Sequence, residues 1–238
     1  MKKYFTAFLC LLLYAGVNAQ KTIIEDANAE VRKVNGSFNS IVISGGIDLY
    51  LSQFESESVA VSASTEQYRQ DIKTVVENNI LNIFYDGGRK WSSGNKKMKA
   101  YVSFKTLEKL HASGACDVKV AGVINVPMLI LDMNGASEFN GAINVNTLTM
   151  ELSGASDVKI SGTAGTVSIE TSGASDVKGY DLVAEICNAK ASGASDINIT
   201  VNKEINARAS GASDIYYKGN AVIKDLHSSG ASSVVKKT

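Results

Sequence analysis

From Lys109 to the end of the chain, apolar and polar residues alternate with a period of two, and the block of alternation recurs every 18 to 21 residues. Each recurrence carries a six-residue phrase. It reads SGACDV at Ser113, NGASEF at Asn134, SGASDV at Ser153 and Ser172, SGASDI at Ser192 and Ser210, and SGASSV at Ser229. Three apolar columns precede the phrase. Leu129, Leu148, Val167, Cys187 and Ile205 stand five residues before it. Leu110, Leu131, Met150, Ile169, Ala189, Ala207 and Leu226 stand three before it, and Ala112, Met133, Leu152, Thr171, Ala191, Ala209 and Ser228 one before it. The position two before it is polar throughout: His111, Asp132, Glu151, Glu170, Lys190, Arg208 and His227. Such alternation predicts a strand with one buried face. After the phrase glycine, Val118, Phe139, Val158, Val177, Ile197, Ile215 and Val234 open a second short strand.

A short, steady period predicts one coil of chain per repeat, stacked along an axis. The expected fold is all-β, a parallel β-solenoid with about 19–20 residues per coil, two short strands and two corners in each. The phrase glycine supplies one corner and Gly122, Gly141, Gly162, Gly179 and Gly219 the other. Where the columns fall to alanine, in the fifth and sixth coils, the core should thin. At the end, Lys236 and Lys237 suit an edge guarded against strand addition.

The pattern is less regular upstream. Residues 35–110 read as irregular coils and 111–238 as regular ones. Phe38, Ile41, Ile43, Ile47, Leu49 and Leu51 alternate around Ser44-Gly45-Gly46-Ile47-Asp48, a degenerate copy of strand, glycine corner and strand. Strands are expected at 58–63, 80–85 and 99–104. The spacing of Tyr68, Ile72, Val75 and Val76 predicts a helix over 65–78 with Thr65 as N-cap, serving as an insertion or cap. Residues 87–97 read as a polar loop around Trp91, with Lys96, Lys97 and Lys99 as solvated cations.

Lys2 and Lys3, the apolar run 4–14 and Val17-Asn18-Ala19 form the three-part pattern of a secretory signal peptide over residues 1–19. Residues 20–34 follow as an N-terminal extension. The protein is therefore expected to be exported, to the periplasm, the cell surface or beyond. No segment of the remainder is long and apolar enough to span a bilayer as a helix, so no membrane insertion is expected. Without Lys2 and Lys3 the chain carries 22 basic and 24 acidic residues, a balance that argues against nucleic acid as a partner. Cys116 and Cys187 lie about four coils apart, roughly 19 Å at ~4.8 Å per coil. A disulfide spans at most ~7 Å between α-carbons, so both are read as free thiols.

Candidate chemistry lies in the phrase. Asp117, Glu138, Asp157, Asp176, Asp196 and Asp214 share its fifth position and should form an acidic ladder. Neighbouring carboxylates ~5 Å apart repel by about 1 kcal/mol in water and about 3 kcal/mol at an effective dielectric near 20. Hydrogen bonds from the corner, with Lys119, Lys159 and Lys178 nearby, are the plain way to hold them; a row of weak Ca²⁺ sites is the sharper one. No other cofactor is expected. Repetition of one environment at every rung does not set two carboxylates apart in pKa, as acid–base catalysis requires, so no catalytic residues are assigned. The stacked phrase serines read as a hydroxyl ladder satisfying corner backbone groups. Trp91, Tyr216 and Tyr217 are the candidate aromatics for stacking on a sugar.

The early Ser-Gly-Gly-Ile-Asp segment, the helix signal and the repeated Ser-Gly-Ala-Ser-Asp phrase together resemble the head GIN domain family of Bacteroidetes, labelled a putative autotransporter adhesin. The resemblance covers roughly residues 34–235. It implies a right-handed, single-stranded β-helix, export, and an adhesive or surface-binding role. A glycan or cell-surface polymer is the partner expected of such an exposed polar face. It brings no catalytic residues. An autotransporter would need a membrane barrel, and none is expected from these residues. The alternatives are a carbohydrate-binding or polysaccharide-processing β-helix and a purely structural envelope protein.

Overall fold

The computed structural model describes residues 26–88 and 96–238. The expected signal peptide and Trp91 lie outside the described residues. The N-terminal part contains β1 (Glu30–Arg32), β2 (Ser40–Ser44), β3 (Asp48–Gln53), β4 (Ser58–Ser62), α1 (Glu66–Asp71), β5 (Ile72–Glu77), β6 (Ile80–Tyr85), β7 (Lys99–Phe104) and β8 (Lys109–Ser113). The repeats follow as β9 (Asp117–Met133), β10 (Glu138–Leu152), β11 (Asp157–Thr171), β12 (Asp176–Ala191), β13 (Asp196–Gly211), β14 (Asp214–Lys218), β15 (Val222–Gly230) and β16 (Ser233–Lys236).

From β9 to β13 each strand pairs in parallel with the next, like residue over like residue. Leu110, Leu131, Met150, Ile169, Ala189, Ala207 and Leu226 are successive register partners, so the expected column exists. All but Leu226 are buried. The fold is a parallel β-solenoid with one coil per repeat. The alanine rungs are compensated by larger residues elsewhere in the same coils, including Leu182, Ile199 and an inward Tyr217, all buried.

The coil differs from the expected two short strands. The strand runs on through the second glycine, where the ladder shifts register at a bulge in three of the four pairs, so each repeat from β9 to β13 is one strand of 15 to 17 residues, bent rather than broken. The bend adds two inward columns that the sequence reading passed over. Ile124, Ile143, Gly162 and Leu182 form one; Val126, Val145, Ala164, Ala184 and Val201 form the other. Each repeat contributes only two residues to this stretch, too few for alternation to stand out.

The phrase corner is fixed by its backbone. Gly173 has φ +77°, and a Cβ there would lie 2.4 Å from the Gly154 carbonyl oxygen of the preceding coil. That oxygen accepts the Ala174 N–H at 2.7 Å, and the same bond recurs one coil earlier between Ala155 and Gly135. Glycine is needed both for left-handed φ and for the close approach of neighbouring corners. The phrase alanine is exposed. The small residue tucked under the corner is the fourth one, buried at Cys116, Ser137, Ser156, Ser175, Ser195 and Ser213. Ser156 Oγ donates to the Ser153 carbonyl at 3.0 Å and Ser195 Oγ to Ser192 at 2.8 Å, a hydroxyl row of the expected kind.

The N-terminal coils stack, but not in chain order. β2 and β3, joined by the Gly45-Gly46 corner, pair with β8 and β9 on one side. On the other side they pair with β6 and β7, so the later segment lies outside the earlier one. Beyond it the parallel array stops. β5 joins β6, β4 joins β7 and β1 joins β4, all antiparallel. Residues 30–32 of the expected extension thus belong to this closure, held by Arg69 Nε to Glu30 at 2.9 Å.

The helix is a correction. Thr65 caps it, its Oγ1 accepting the Tyr68 N–H at 3.3 Å, but it ends at Asp71. Residues 72–77 form a strand instead. Ile72, Thr74, Val75 and Val76 are β-branched and favour the pleat. Asn78 and Asn79, at φ 52° and 62°, make a two-residue hairpin turn back into β6. Lys96 also departs from its expected place. It is buried, with its ammonium 4.0 Å from the Tyr85 ring centroid.

Candidate binding faces

Registry turns each outward position into a row. The acidic row runs Asp117, Glu138, Asp157, Asp176, Asp196, Asp214, each the partner of the next. The structure therefore brings together all six predicted acidic residues. It adds one the sequence reading had not placed there: Asp48 of the degenerate corner stands beside Asp117, with Lys99 as its own partner on the far side. The signal was the match of Ser44-Gly45-Gly46-Ile47-Asp48 to SGACD, obscured by an offset of 69 positions between their first letters. Burial, then the neighbouring Asp117 charge, raises the Asp48 carboxyl above its ordinary value.

The row is stabilised locally. Lys178 Nζ lies 3.7 Å from Asp157. The Asp214 N–H donates to Asp196 at 3.2 Å. Asp214 accepts the Ser233 hydroxyl at 2.6 Å and the Tyr216 hydroxyl at 2.7 Å, and these bonds hold its pKa below the usual carboxylate range. Among the described residues no three His, Cys, Asp or Glu side chains converge on one point to hold a metal ion.

Two residues further on lies a second outward row: Tyr101, Tyr50, Lys119, Asn140, Lys159, Lys178, Asn198 and Tyr216. Tyr50 and Tyr101 stack with centroids 5.1 Å apart. At the other end Lys237 lies 4.1 Å from the Tyr216 centroid. Of the three candidate aromatics, Tyr216 is thus outward. Tyr217 is 3% exposed and fills the core, so it offers no face to a sugar. Together the two rows form a ladder face, acidic on one side and lysine and tyrosine on the other.

The stretch before the phrase presents a different surface. Its main outward row is His111, Asp132, Glu151, Glu170, Lys190, Arg208 and His227. His111 Nδ1 lies 2.9 Å from Asp132, Lys190 3.9 Å from Glu170, and Arg208 2.7 Å from Asp225. Cys116 and Cys187 are free and buried, as expected from their separation along the stack. Burial pushes the Cys187 thiol up to about 12.

These observations define a parallel β-solenoid whose surfaces are rows of like side chains. The chain belongs to the family described as putative auto-transporter adhesin, head GIN domain, whose model matches residues 37–221. It is similar in structure to a putative adhesin from Bacteroides fragilis, with a TM-score of 0.82 and 24% identity over 93% of this chain and 100% of that one. A putative lipid binding protein from Parabacteroides distasonis gives 0.67 at 20% identity, over 89% and 97% of the two chains. A putative adhesin from the same species gives 0.64 at 17%, over 87% and 96%. No match was found among curated proteins. No helix among the described residues is long and apolar enough to cross a membrane.

Proposed function

We propose that this chain is an exported, non-enzymatic, adhesin-like binding module of the bacterial cell envelope, and that its ladder face engages a repeating polymer such as a surface glycan. One observation carries the reading. The outward side chains of the ladder face repeat at one coil spacing, ~4.8 Å, from Tyr101 to Tyr216. A periodic polar surface suits a periodic ligand, because weak contacts at successive rungs add as avidity. Tyr50 and Tyr216 at the two ends supply flat apolar surface, and Lys119, Lys159 and Lys178 supply donors between them. Membership of an adhesin-labelled family supports the same reading. The neighbour named for lipid binding suggests another ligand, but here the interior is filled by one continuous hydrophobic cluster, which leaves the outer faces for binding.

The test is a glycan array probed with residues 20–238, with and without millimolar Ca²⁺ to address the acidic row. Binding to a defined set of glycans, lost in Lys159→Glu/Lys178→Glu, is the expected result. A blank array would refute the glycan assignment. Turnover of a polysaccharide, abolished by changing one carboxylate, would refute the non-enzymatic one.

A further inference from the structure

The outward row before the phrase separates its charges along the axis. After His111, Asp132, Glu151 and Glu170 occupy three successive coils, Lys190 and Arg208 the next two, and the imidazole of His227 the last. The row two residues earlier is short and neutral in the middle: Thr149, Ser168, Asn188 and Asn206 are consecutive register partners. A shallow depression lies over the junction, between Glu170, Lys190 and Arg208, where the inward residues are Ile169 and Ala189.

We propose that this face docks a second copy of the same chain, the two solenoids lying face to face with their axes antiparallel. The two-fold axis runs along the strand direction, between the Glu170 and Lys190 rungs. That operation keeps each row opposite itself and reverses the order of its rungs. Glu170 then faces Lys190 of the second copy, Glu151 faces Arg208, and Asp132 faces His227. In the neighbouring row Ser168 faces Asn188 and Thr149 faces Asn206, pairs able to hydrogen-bond across a flat contact. The interface is isologous, so every pair occurs twice. A parallel arrangement would instead set acid against acid and base against base.

Size and charge set the strength. Six rungs at ~4.8 Å by about five strand residues cover roughly 500 Å² on each copy, near the lower limit for a specific interface. Lys190 and Arg208 already have partners in their own chain, at Glu170 and Asp225. The dimer is therefore weak and salt-sensitive. It leaves both ladder faces exposed and so makes the assembly bivalent. The dimer does not depend on the glycan assignment, and either can fail without the other.

Sedimentation of residues 20–238 at ~100 μM should show a dimer at low salt and a monomer at ~0.5 M salt, where the Debye length falls to a few ångströms. Arg208→Glu should weaken association about tenfold or more, since two facing pairs become repulsive. Adding Glu151→Arg to that variant should restore it. For orientation, Thr149→Cys and Asn206→Cys proteins are treated with a short bismaleimide. The buried Cys116 and Cys187 stay out of the reaction. Cross-linking only when the two variants are mixed is expected. A monomer at low salt, a dimer indifferent to salt or to Arg208→Glu, failure of the rescue, or cross-linking of either variant with itself would each overturn the proposal.

Discussion

The two ends of the solenoid meet the same physical demand in opposite ways. Every inner coil has a neighbour on both sides to pair its backbone and cover its core; an end coil has one. At the N-terminal end the fold adds β1, β4 and β5 antiparallel to the last parallel strands, with α1 beside them. Phe38, Val59, Val61 and Ile72 are buried there. At the C-terminal end nothing among the described residues lies over β15 and β16. Ile223 and Leu226, which continue core columns, are 45% and 43% exposed, and Val222 is 60% exposed. The sequence of the last coil is as apolar as its position in the column requires, yet its environment is half solvent. A column residue is therefore worth what its neighbours make it worth, and the middle of the stack should be far less tolerant than its open end.

The largest effect is expected at the phrase glycine. Gly173→Ala places a Cβ 2.4 Å from a carbonyl oxygen held in the corner ladder, at φ +77°. Left-handed φ costs a non-glycine residue about 1–2 kcal/mol, and forcing extra volume into packed structure adds about 1–3 kcal/mol. Gly230→Ala has the same φ but a contact of 2.8 Å in the outermost coil, which is free to shift outward. Urea midpoints should fall markedly for the first and slightly for the second; equal losses would contradict the contrast between middle and end.

Next comes the core column. Leu131→Ala, at a fully buried site, should cost about 2–5 kcal/mol. Leu226→Ala should cost under about 1 kcal/mol, because half of that side chain is already in water. Hydrogen exchange offers a second reading, with β15 and β16 exchanging far ahead of β10 and β11. Protection of β15 equal to that of β10 would show that the open end is covered in solution.

How much of this was readable from sequence follows from what repeats. Leu131 and Met150 announce their column because seven copies average away the noise of any single one, and the same holds for the acidic row from Asp117 to Asp214. Asp48 occurs in a single degenerate copy, and its partners are fixed by a chain excursion that reverses the spatial order of two coils. No local pattern encodes that reversal. Val75 and Val76 show the other limit. Their spacing suits a helix, but strand formation is decided by the Asn78-Asn79 turn and by the edge of β6, a tertiary partner. Tyr216 and Tyr217 are adjacent and chemically alike, and only the phase of the pleat separates surface from core.

Cys187 probes the middle of the stack by another route. Its thiol is pushed up to about 12 by burial, from an ordinary value near 9. The folded state therefore keeps the proton while the unfolded chain loses it. Stability is unaffected below pH 9 and falls between pH 9 and 12, by about 1.4 kcal/mol for each pH unit. Cys187→Ala should be less stable than the parent at pH 7 because of the smaller side chain, and the gap should narrow as pH rises above 9. Alkaline denaturation that is identical in slope for both proteins would mean the thiol is not sealed in the core.

The smallest effect tests the closed end. Thr65→Ala removes the hydroxyl that accepts the Tyr68 N–H, worth about 1 kcal/mol at a helix N-terminus. A six-residue helix does not stand alone, and α1 is tied to β1 by Arg69, which bonds Glu30 and the Asn28 carbonyl at 3.1 Å. The loss should therefore stay local, as faster amide exchange at Tyr68 and Arg69 with a nearly unchanged urea midpoint. A midpoint shift approaching that of Leu131→Ala would mean that the helix, rather than the antiparallel strands, holds the N-terminal end shut. In that case Thr65 would protect the core as fully as a column residue does.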